Sequence, residues 1–478
     1  MSSATEGRLF ARRIVGVETE YGITAVAGDG GRTLSPDEIA RYLFRPIVSR
    51  YASSNIFTPN GSRLYLDVGS HPEIATAECD SLTQLLNHEQ AGDRMVDELA
   101  QQAEEALAAD GIDGRVYLFK NNVDSVGNSY GCHENYLVGR HLPLRNLGKQ
   151  LLPFMITRQL ICGAGMVGRS GGGFDAGFVV SQRADQVWEG ISSATTRARP
   201  IINTRDEPHG DSNRFRRMHV IVGDSSMSET TFALKVGSTL LVLEMIEAGV
   251  ELPDFEMDNP IGHIRDIARD MTGSTPLALK QGGTVTALEV QEATLAAAAV
   301  WLEERPDEGT PTAELRRVVD LWTRQLEAIR TQDFSRVDRE IDWVIKLNLL
   351  NRYRERVGED WTHPKLAQVD LAYHDIRPGR GLFPLLEARG LVDRWTDDAA
   401  IGQALHAAPE TTRAHLRGRF IAAAEELGAP VTTDWVHLKV NAPEPRVVEL
   451  LDPFQPVDER VDHLLAYLEE NADAYGRV

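Results

Sequence analysis

No stretch of this 478-residue sequence approaches the roughly 18–20 consecutive apolar residues that a bilayer-spanning helix needs, so no membrane is expected among its partners. Cysteine is nearly absent. Cys79, Cys132 and Cys162 lie far apart, and three is an odd number, which argues against a disulfide framework. No CxxC pair or Cys/His cluster marks a zinc site. The opening MSSATEGRLFARRIVG lacks the apolar core of a signal peptide, and with the scattered thiols it points to the cytoplasm. Basic residues are also short: 50 Lys and Arg stand against 71 Asp and Glu, for a net charge of −21. That balance excludes nucleic acid as a main partner, because phosphate binding wants a basic face. RRM and KH patterns are missing. The glycine-rich GRSGGGFDAG (168–177) lacks the spacing of a Walker phosphate loop, and no Rossmann fingerprint follows the first strand. Internal repeats and long low-complexity runs are absent as well.

What remains is a globular composition, 42% apolar and 25% charged, in a chain too long for one core of usual size. A large unit over residues 1–405 and a small C-terminal one over 406–478 are expected. RRIVGVETEYGIT (12–24) reads as a strand with Val15 and Val17 on one face and Glu18 and Glu20 on the other. Residues 35–51 open with Ser35 and Pro36, which are helix-start signals. One or two strands follow. Helices are expected over 81–111, 150–164, 230–249, 287–304, 312–330, 335–357, 412–427 and 456–474, and strands over 116–120, 133–140 and 218–224. PVTTDWVHLKV is a strand or turn. Strands gathered early and helices afterwards predict an α+β fold rather than alternating βαβ units.

The polar faces carry the chemistry. In NGSRLYLDVGSHPE, Arg63, Tyr65 and Asp67 share one side of a strand and Leu64, Leu66 and Val68 the other, with Glu73 shortly after. Two acids on one strand face read equally well as a solvated edge or as ligands of magnesium, a hard cation that takes oxygen donors and bridges nucleotide phosphates. His133 and His219 join such a site only if their strands face the same acids. Six arginines over 197–217 (Arg197, Arg199, Arg205, Arg214, Arg216 and Arg217) read as a solvated surface paired to Asp206, Glu207 and Asp211, or as an anion-binding patch. Trp435 reads as core or as a flat surface for a nucleotide base.

GVETEYGIT, SPDEIARYLFR, NGSRLYLDVGSHPE, YLFKNNVDSVGNSYGCHENYLVGR, WEGISSATTRARPIINTRDEPH and DWVHLKV together resemble the family of Pup ligases and Pup deamidases, from about Arg12 to the C-terminal helix. The family is related to glutamine synthetase-type carboxylate–amine ligases. The resemblance implies a curved, mostly antiparallel sheet cradling ATP and magnesium, with a small C-terminal domain. It implies joining the side-chain carboxylate of the C-terminal glutamate of Pup, an acidic ubiquitin-like protein, to a lysine of target proteins, through a glutamyl phosphate, which marks them for the proteasome. It assigns Asp67 as catalytic base, Glu18, Tyr65 and Glu73 to magnesium, and Arg63, Thr76 and Trp435 to ATP. Glu20, His133 and His219 are added as further metal candidates. An acidic Pup requires a locally basic groove, for which the 197–217 arginines are one source. The alternative within the family is the deamidase, which also removes Pup. It carries an inserted loop ahead of the NGSRLYLD motif, whereas here only Ala52–Pro59 separate the helix from that motif, which implies a ligase.

Overall fold

The computed structural model describes residues 11–28, 34–67, 69–124, 127–168, 175–193 and 199–475. Val68, Arg197 and most of the glycine-rich stretch lie outside them. Twelve strands matter here: β1 (Val15–Glu20), β2 (Gly22–Ala27), β3 (Asn55–Phe57), β4 (Arg63–Leu66), β5 (Pro72–Ala75), β6 (Gly114–Phe119), β7 (Cys132–Gly139), β8 (Met166–Gly168), β9 (Gly177–Val179), β10 (Glu189–Ser192), β11 (Pro200–Asn203) and β12 (Phe215–Val220). Eight form one sheet in the order β10-β11-β12-β7-β1-β5-β4-β3. Only the β10–β11 pair is parallel. Helices occupy most of the rest, so the fold is the expected α+β. Among the described residues no helix is long and apolar enough to cross a membrane.

The sheet is two-faced because its strands alternate. Val15, Val17, Tyr136, Met218 and Val220 point into the main core, where they meet Leu82, Leu85 and Leu86 of the helix Leu82–Ala109 and Phe232, Val236 and Leu240 of the helix Glu229–Ala248. That second helix is buried on every side, which its sequence states by lacking a polar face. Its charged groups are matched: Lys235 Nζ donates to the Asp224 carbonyl at 2.7 Å, and Glu244 accepts two hydrogen bonds from Arg305. Beneath β7, Glu134 and Arg158 form a fully buried bidentate pair at 2.6 and 2.7 Å.

Several boundaries differ from expectation. The strand over 12–24 is two strands, because the ladder to β5 ends at Tyr21: its amide donates to the Pro72 carbonyl at 2.9 Å, but proline has no amide to return the bond, and the Tyr21 hydroxyl donates to Asp93. β2 then pairs with β6 in a separate sheet. The segment after residue 51, where one or two strands are expected, gives three, β3 to β5. β12 spans Phe215–Val220 rather than 218–224, since the chain turns beyond it and Asp224 accepts the amides of Ala164, Gln182 and Arg183. The helix expected over 335–357 is Asp342–Arg354 followed by a 3-10 turn. Its start is delayed because Asp342 is pinned by the amides of Met227 and Ser228. The stretch 150–164 becomes helices Leu144–Thr157 and Gln159–Cys162.

Near the C-terminus, helix Ala414–Leu427, a three-stranded antiparallel sheet (Val431–Thr433, His437–Val440, Arg446–Glu449) and helix Glu459–Glu470 gather a cluster of their own around Leu416, Phe420, Leu438 and Leu464. One carboxylate ties this segment to the main sheet. Glu78, just past β5, accepts from Arg413 Nε at 2.7 Å and from both terminal nitrogens of Arg417, which also donate to the carbonyls of Trp435 and Gly61. Burial would raise the Glu78 carboxyl, but Arg417 and Arg413 hold it down at about 2 against an ordinary 4.5. A depressed carboxyl contributes stability above its unfolded pKa and loses it as pH falls through the folded one. The contribution is about 3 kcal/mol at pH 7 and disappears between pH 4.5 and 2. Glu78→Gln is therefore expected to lower the melting temperature at pH 7 and to flatten its fall across that window. A variant melting in parallel with the parent protein down to pH 2 would remove this role.

Candidate active site

The face of the sheet turned away from the main core carries the polar residues, and the register sets them in rows. Tyr65 lies opposite Glu73, and Glu73 opposite Glu20. In the next row Arg63 lies opposite Ala75, Ala75 opposite Glu18, and Glu18 opposite His133. The third row sets Gly16 opposite Asn135 and Asn135 opposite His219. Each row is two residues from the last, so all point to one side. The sequence expectation of a shared face therefore holds for β1, β4 and β7, and β5 and β12 extend it.

Contacts follow from this register. Asn135 Nδ2 donates to Glu18 Oε1 at 3.0 Å. His133 Nδ1 is 3.4 Å from Glu18 Oε2 and its Nε2 is 4.0 Å from Glu20. The His133 and His219 rings meet edge to face at 5.0 Å. Glu18, His133 and His219 bring one ligand atom each within 4.8 Å of one another, as do Glu20, Glu73 and His133. His219 is buried, and among the described residues neither of its ring nitrogens has a hydrogen-bond partner.

The electrostatics are those of buried acids crowded together, with the Arg217 guanidinium 3.5 Å from Glu18 at one end. Burial, then Glu18 and Glu20, push the Glu73 carboxyl well above the usual carboxylate range. Burial works the same way on Glu18, yet the His133 hydrogen bond and the neighbouring positive groups, Arg217 among them, hold it below that range. Burial and the charges of Glu18 and Glu73 raise the Tyr65 hydroxyl, which hydrogen-bonds Glu73. Burial drives His219 down to about 3, so its imidazole is neutral at pH 7. Neutral imidazole nitrogens and clustered carboxylates are a cation's donor set.

A cavity of about 290 Å³ opens beside these rows, lined among others by Val17, Glu18, Arg63, Tyr65, Thr76, His219 and Trp435. Arg63 lies over the Tyr65 ring at 4.2 Å and donates to Asn55. Thr76 Oγ1 accepts the Val17 amide at 3.1 Å. Trp435 closes the far end, edge to face with Phe57 at 4.9 Å and with the Arg417 guanidinium over its ring at 5.0 Å. Asp67 stands just beyond β4, in the turn to β5. Its Oδ1 accepts the amides of Gly69 and His71 at 2.8 and 2.9 Å, and among the described residues its Oδ2 accepts none.

Seven of the ten residues picked from the sequence, Glu18, Glu20, Arg63, Tyr65, Glu73, His133 and His219, thus share one sheet face; Thr76 and Trp435 line the cavity beside it, and Asp67 stands in the turn after β4. The arginine stretch does not gather there. Arg199 donates to Gln186, Arg205 pairs with Glu207, Arg214 with Asp452, and Arg216 reaches the Leu142 carbonyl. Arg217 turns to the acids, 3.5 Å from Glu18 and 3.2 Å from Asn135 Oδ1. Asn135, Arg413, Glu78 and His209 belong to this region and were not expected. Asn135 was readable from its alternation with His133; the others come from loops and from the C-terminal segment.

The family model described as Pup-ligase protein matches residues 13–439. A Pup–protein ligase of Corynebacterium aurimucosum is 69% identical over 460 residues, 96% of this chain and 97% of that protein. One from Mycolicibacterium vanbaalenii is 56% identical over 455 residues, 95% of this chain and 99% of its own. Among solved structures, the complex between Pup and its ligase PafA superposes with a TM-score of 0.94 at 60% identity, over 98% of this chain and 93% of that one. The Pup ligase PafA in complex with ADP gives 0.85 at 61% identity, over 93% and 97%. A match of this length and identity leaves one conclusion: the chain belongs to the Pup ligase family.

Proposed function

We infer that this protein is an ATP-dependent ligase that joins Pup to lysine side chains of target proteins. The observation that carries this is near-complete coverage by proteins named Pup–protein ligase, in a chain whose sheet face is lined with carboxylates beside a cavity. The ADP complex of a 61% identical relative supports nucleotide binding, for which the cavity beside the acids is our candidate site.

The chemistry explains the residues. A carboxylate is a poor acyl donor, because its leaving group would be oxide. Transfer of the γ-phosphoryl of ATP to the terminal glutamate side chain of Pup makes an acyl phosphate and ADP. Attack by a lysine amine then forms the isopeptide bond and releases phosphate. Trp435, Arg63 and Thr76 bind the nucleotide in this reading, with Trp435 at the base end and Arg63 toward the phosphates. The crowded acids fit magnesium: Glu18, Glu20 and Glu73 with the Tyr65 hydroxyl supply hard oxygen donors, and His133 and His219 complete the enclosure. Magnesium bound there would offset phosphate charge during phosphoryl transfer. Arg217 and Arg63 offset part of the same charge from the protein side. A lysine of ordinary pKa costs about 4.6 kcal/mol to present as a neutral amine at pH 7. Asp67, with one carboxylate oxygen held by the turn and the other free, accepts the ammonium proton. Residues 406–478 act as a small domain that carries Trp435 to the site, tied by Glu78. Work in the cytoplasm accords with three buried, unpaired thiols.

Incubation with ATP, magnesium, glutamate-ended Pup and a lysine-bearing protein is expected to give a conjugate one Pup heavier on mass spectrometry, with ADP released. Rapid conversion of glutamine-ended Pup to the glutamate form, with no conjugate from the latter, would reassign the chain to the deamidase.

A further inference from the structure

The base end of the cavity has an aromatic residue facing Trp435 that the chemistry above leaves unused. His209 lines the same cavity in the loop between β11 and β12, after Glu207 and Pro208. Its ring lies 5.9 Å from the Trp435 ring, tilted by 36°. The two are not stacked as His71 and Tyr130 are, at 4.8 Å and 28°. They form a loose pair, and both rings line the cavity. One flank of Trp435 is already taken by the Arg417 guanidinium at 5.0 Å and by the Phe57 edge.

His209 is also held at a cost. Its φ is +48°, a left-handed conformation that a non-glycine residue adopts with strain. The loop is fixed on the C-terminal side of it. The Asp211 amide donates to the Leu451 carbonyl at 3.0 Å, Arg214 pairs with Asp452 at 2.9 Å, and Phe215 packs on Phe454. Gly210 lies so close to the Leu451 carbonyl that an added Cβ would come within 3.0 Å of it. The half-buried imidazole makes no hydrogen bond among the described residues, although the loop around it makes several. Burial, then Arg217 and Arg413, push it down to about 4, so at pH 7 it is an uncharged ring. A pinned, neutral aromatic without hydrogen-bond partners among the described residues, lining a cavity beside tryptophan, has the properties of a stacking surface.

We propose that His209 is a second aromatic contact of the nucleotide site, its ring beside that of Trp435 against the purine base. This rests on the cavity being the nucleotide site. It makes His209 a binding residue that selects for a flat heterocycle.

The test is calorimetric titration of the full-length protein with Mg·ADP, and separately with inorganic tripolyphosphate, which has no base. His209→Ala is expected to weaken ADP roughly tenfold and to leave tripolyphosphate unchanged. His209→Phe should restore ADP binding to within about threefold of the parent. His209→Gly, which relieves the backbone strain but removes the ring, should lose as much as the alanine variant. Trp435→Ala serves as reference. If ADP weakens for Trp435→Ala but not for His209→Ala, the inference about His209 fails while the nucleotide site stands. If the parent protein binds no ADP, the underlying reading fails instead. Parallel losses for ADP and tripolyphosphate, or full binding by the glycine variant, would assign the effect to loop position and overturn the stacking role.

Discussion

Asp67→Asn is expected to slow conjugation to lysine by at least about a hundredfold while leaving the ADP affinity within about twofold, since Asp67 is not among the residues lining the nucleotide cavity. The substitution isolates proton acceptance because of how the side chain is held. Asparagine keeps an Oδ1 that can accept the Gly69 and His71 amides, so the turn from β4 to β5 survives. What changes is the second oxygen, which becomes an NH₂ group that cannot take a proton. Two further readouts separate this from other causes of a slow enzyme. The variant's rate should climb steeply as pH rises toward the lysine pKa of about 10.4, because solution then supplies the neutral amine. Transfer to hydroxylamine, an acceptor already neutral at pH 7, should be slowed far less than transfer to lysine. Equal losses with both acceptors would move the role of Asp67 to the phosphoryl-transfer step. A lysine rate within threefold of the parent would remove it from the chemistry.

The site was legible in the sequence to the extent that strand period carried it. Glu18 and Glu20, Arg63 and Tyr65, and His133 and Asn135 are pairs two residues apart in segments whose intervening residues are apolar or buried, and period two forces each pair onto one face. The sequence could not say that β5, β1 and β7 are neighbours, because pairing partners are chosen by long-range packing; the family resemblance implied only that their residues share one site. Glu73 shows the limit. All four residues of β5 are buried, so no alternation marks its acid as facing the site. The arginine stretch shows the converse: six cations close in sequence suggest one patch, but its loop and strand positions send the described ones to different partners. The two strands at the β10 edge are four residues each and follow no long apolar run. The short helices Pro260–Ala268 and Asp398–His406 do have readable caps in Asn259 and Asp397, but too few turns to show a periodic face.

Glu73→Gln is expected to abolish conjugation, a loss of at least about a hundredfold, without weakening the fold. The two halves of that statement come from one arrangement. Glu73 is 5% exposed and lies opposite both Glu20 and Tyr65, with Glu18 close by. Its carboxyl is held well above the usual range by burial and by those acids, so its charge is a liability in the cation-free protein. Glutamine has the same shape, can still accept the Tyr65 hydroxyl, and removes the repulsion. Without divalent cations the variant should therefore melt at the same temperature as the parent or higher. Adding Mg·ADP should raise the parent's melting temperature, since a ligand at a hundred times its Kd contributes about 2.7 kcal/mol. The variant should gain much less, because one hard oxygen donor has lost its charge. Such a residue lowers the stability of the empty protein and is retained for what it binds. If Glu73→Gln instead melts well below the parent in the absence of cations, the carboxylate is structural. If it responds to Mg·ADP as the parent does and still conjugates Pup, Glu73 is not a metal ligand, and the acids of β1 with the imidazoles of β7 and β12 must hold the cation alone.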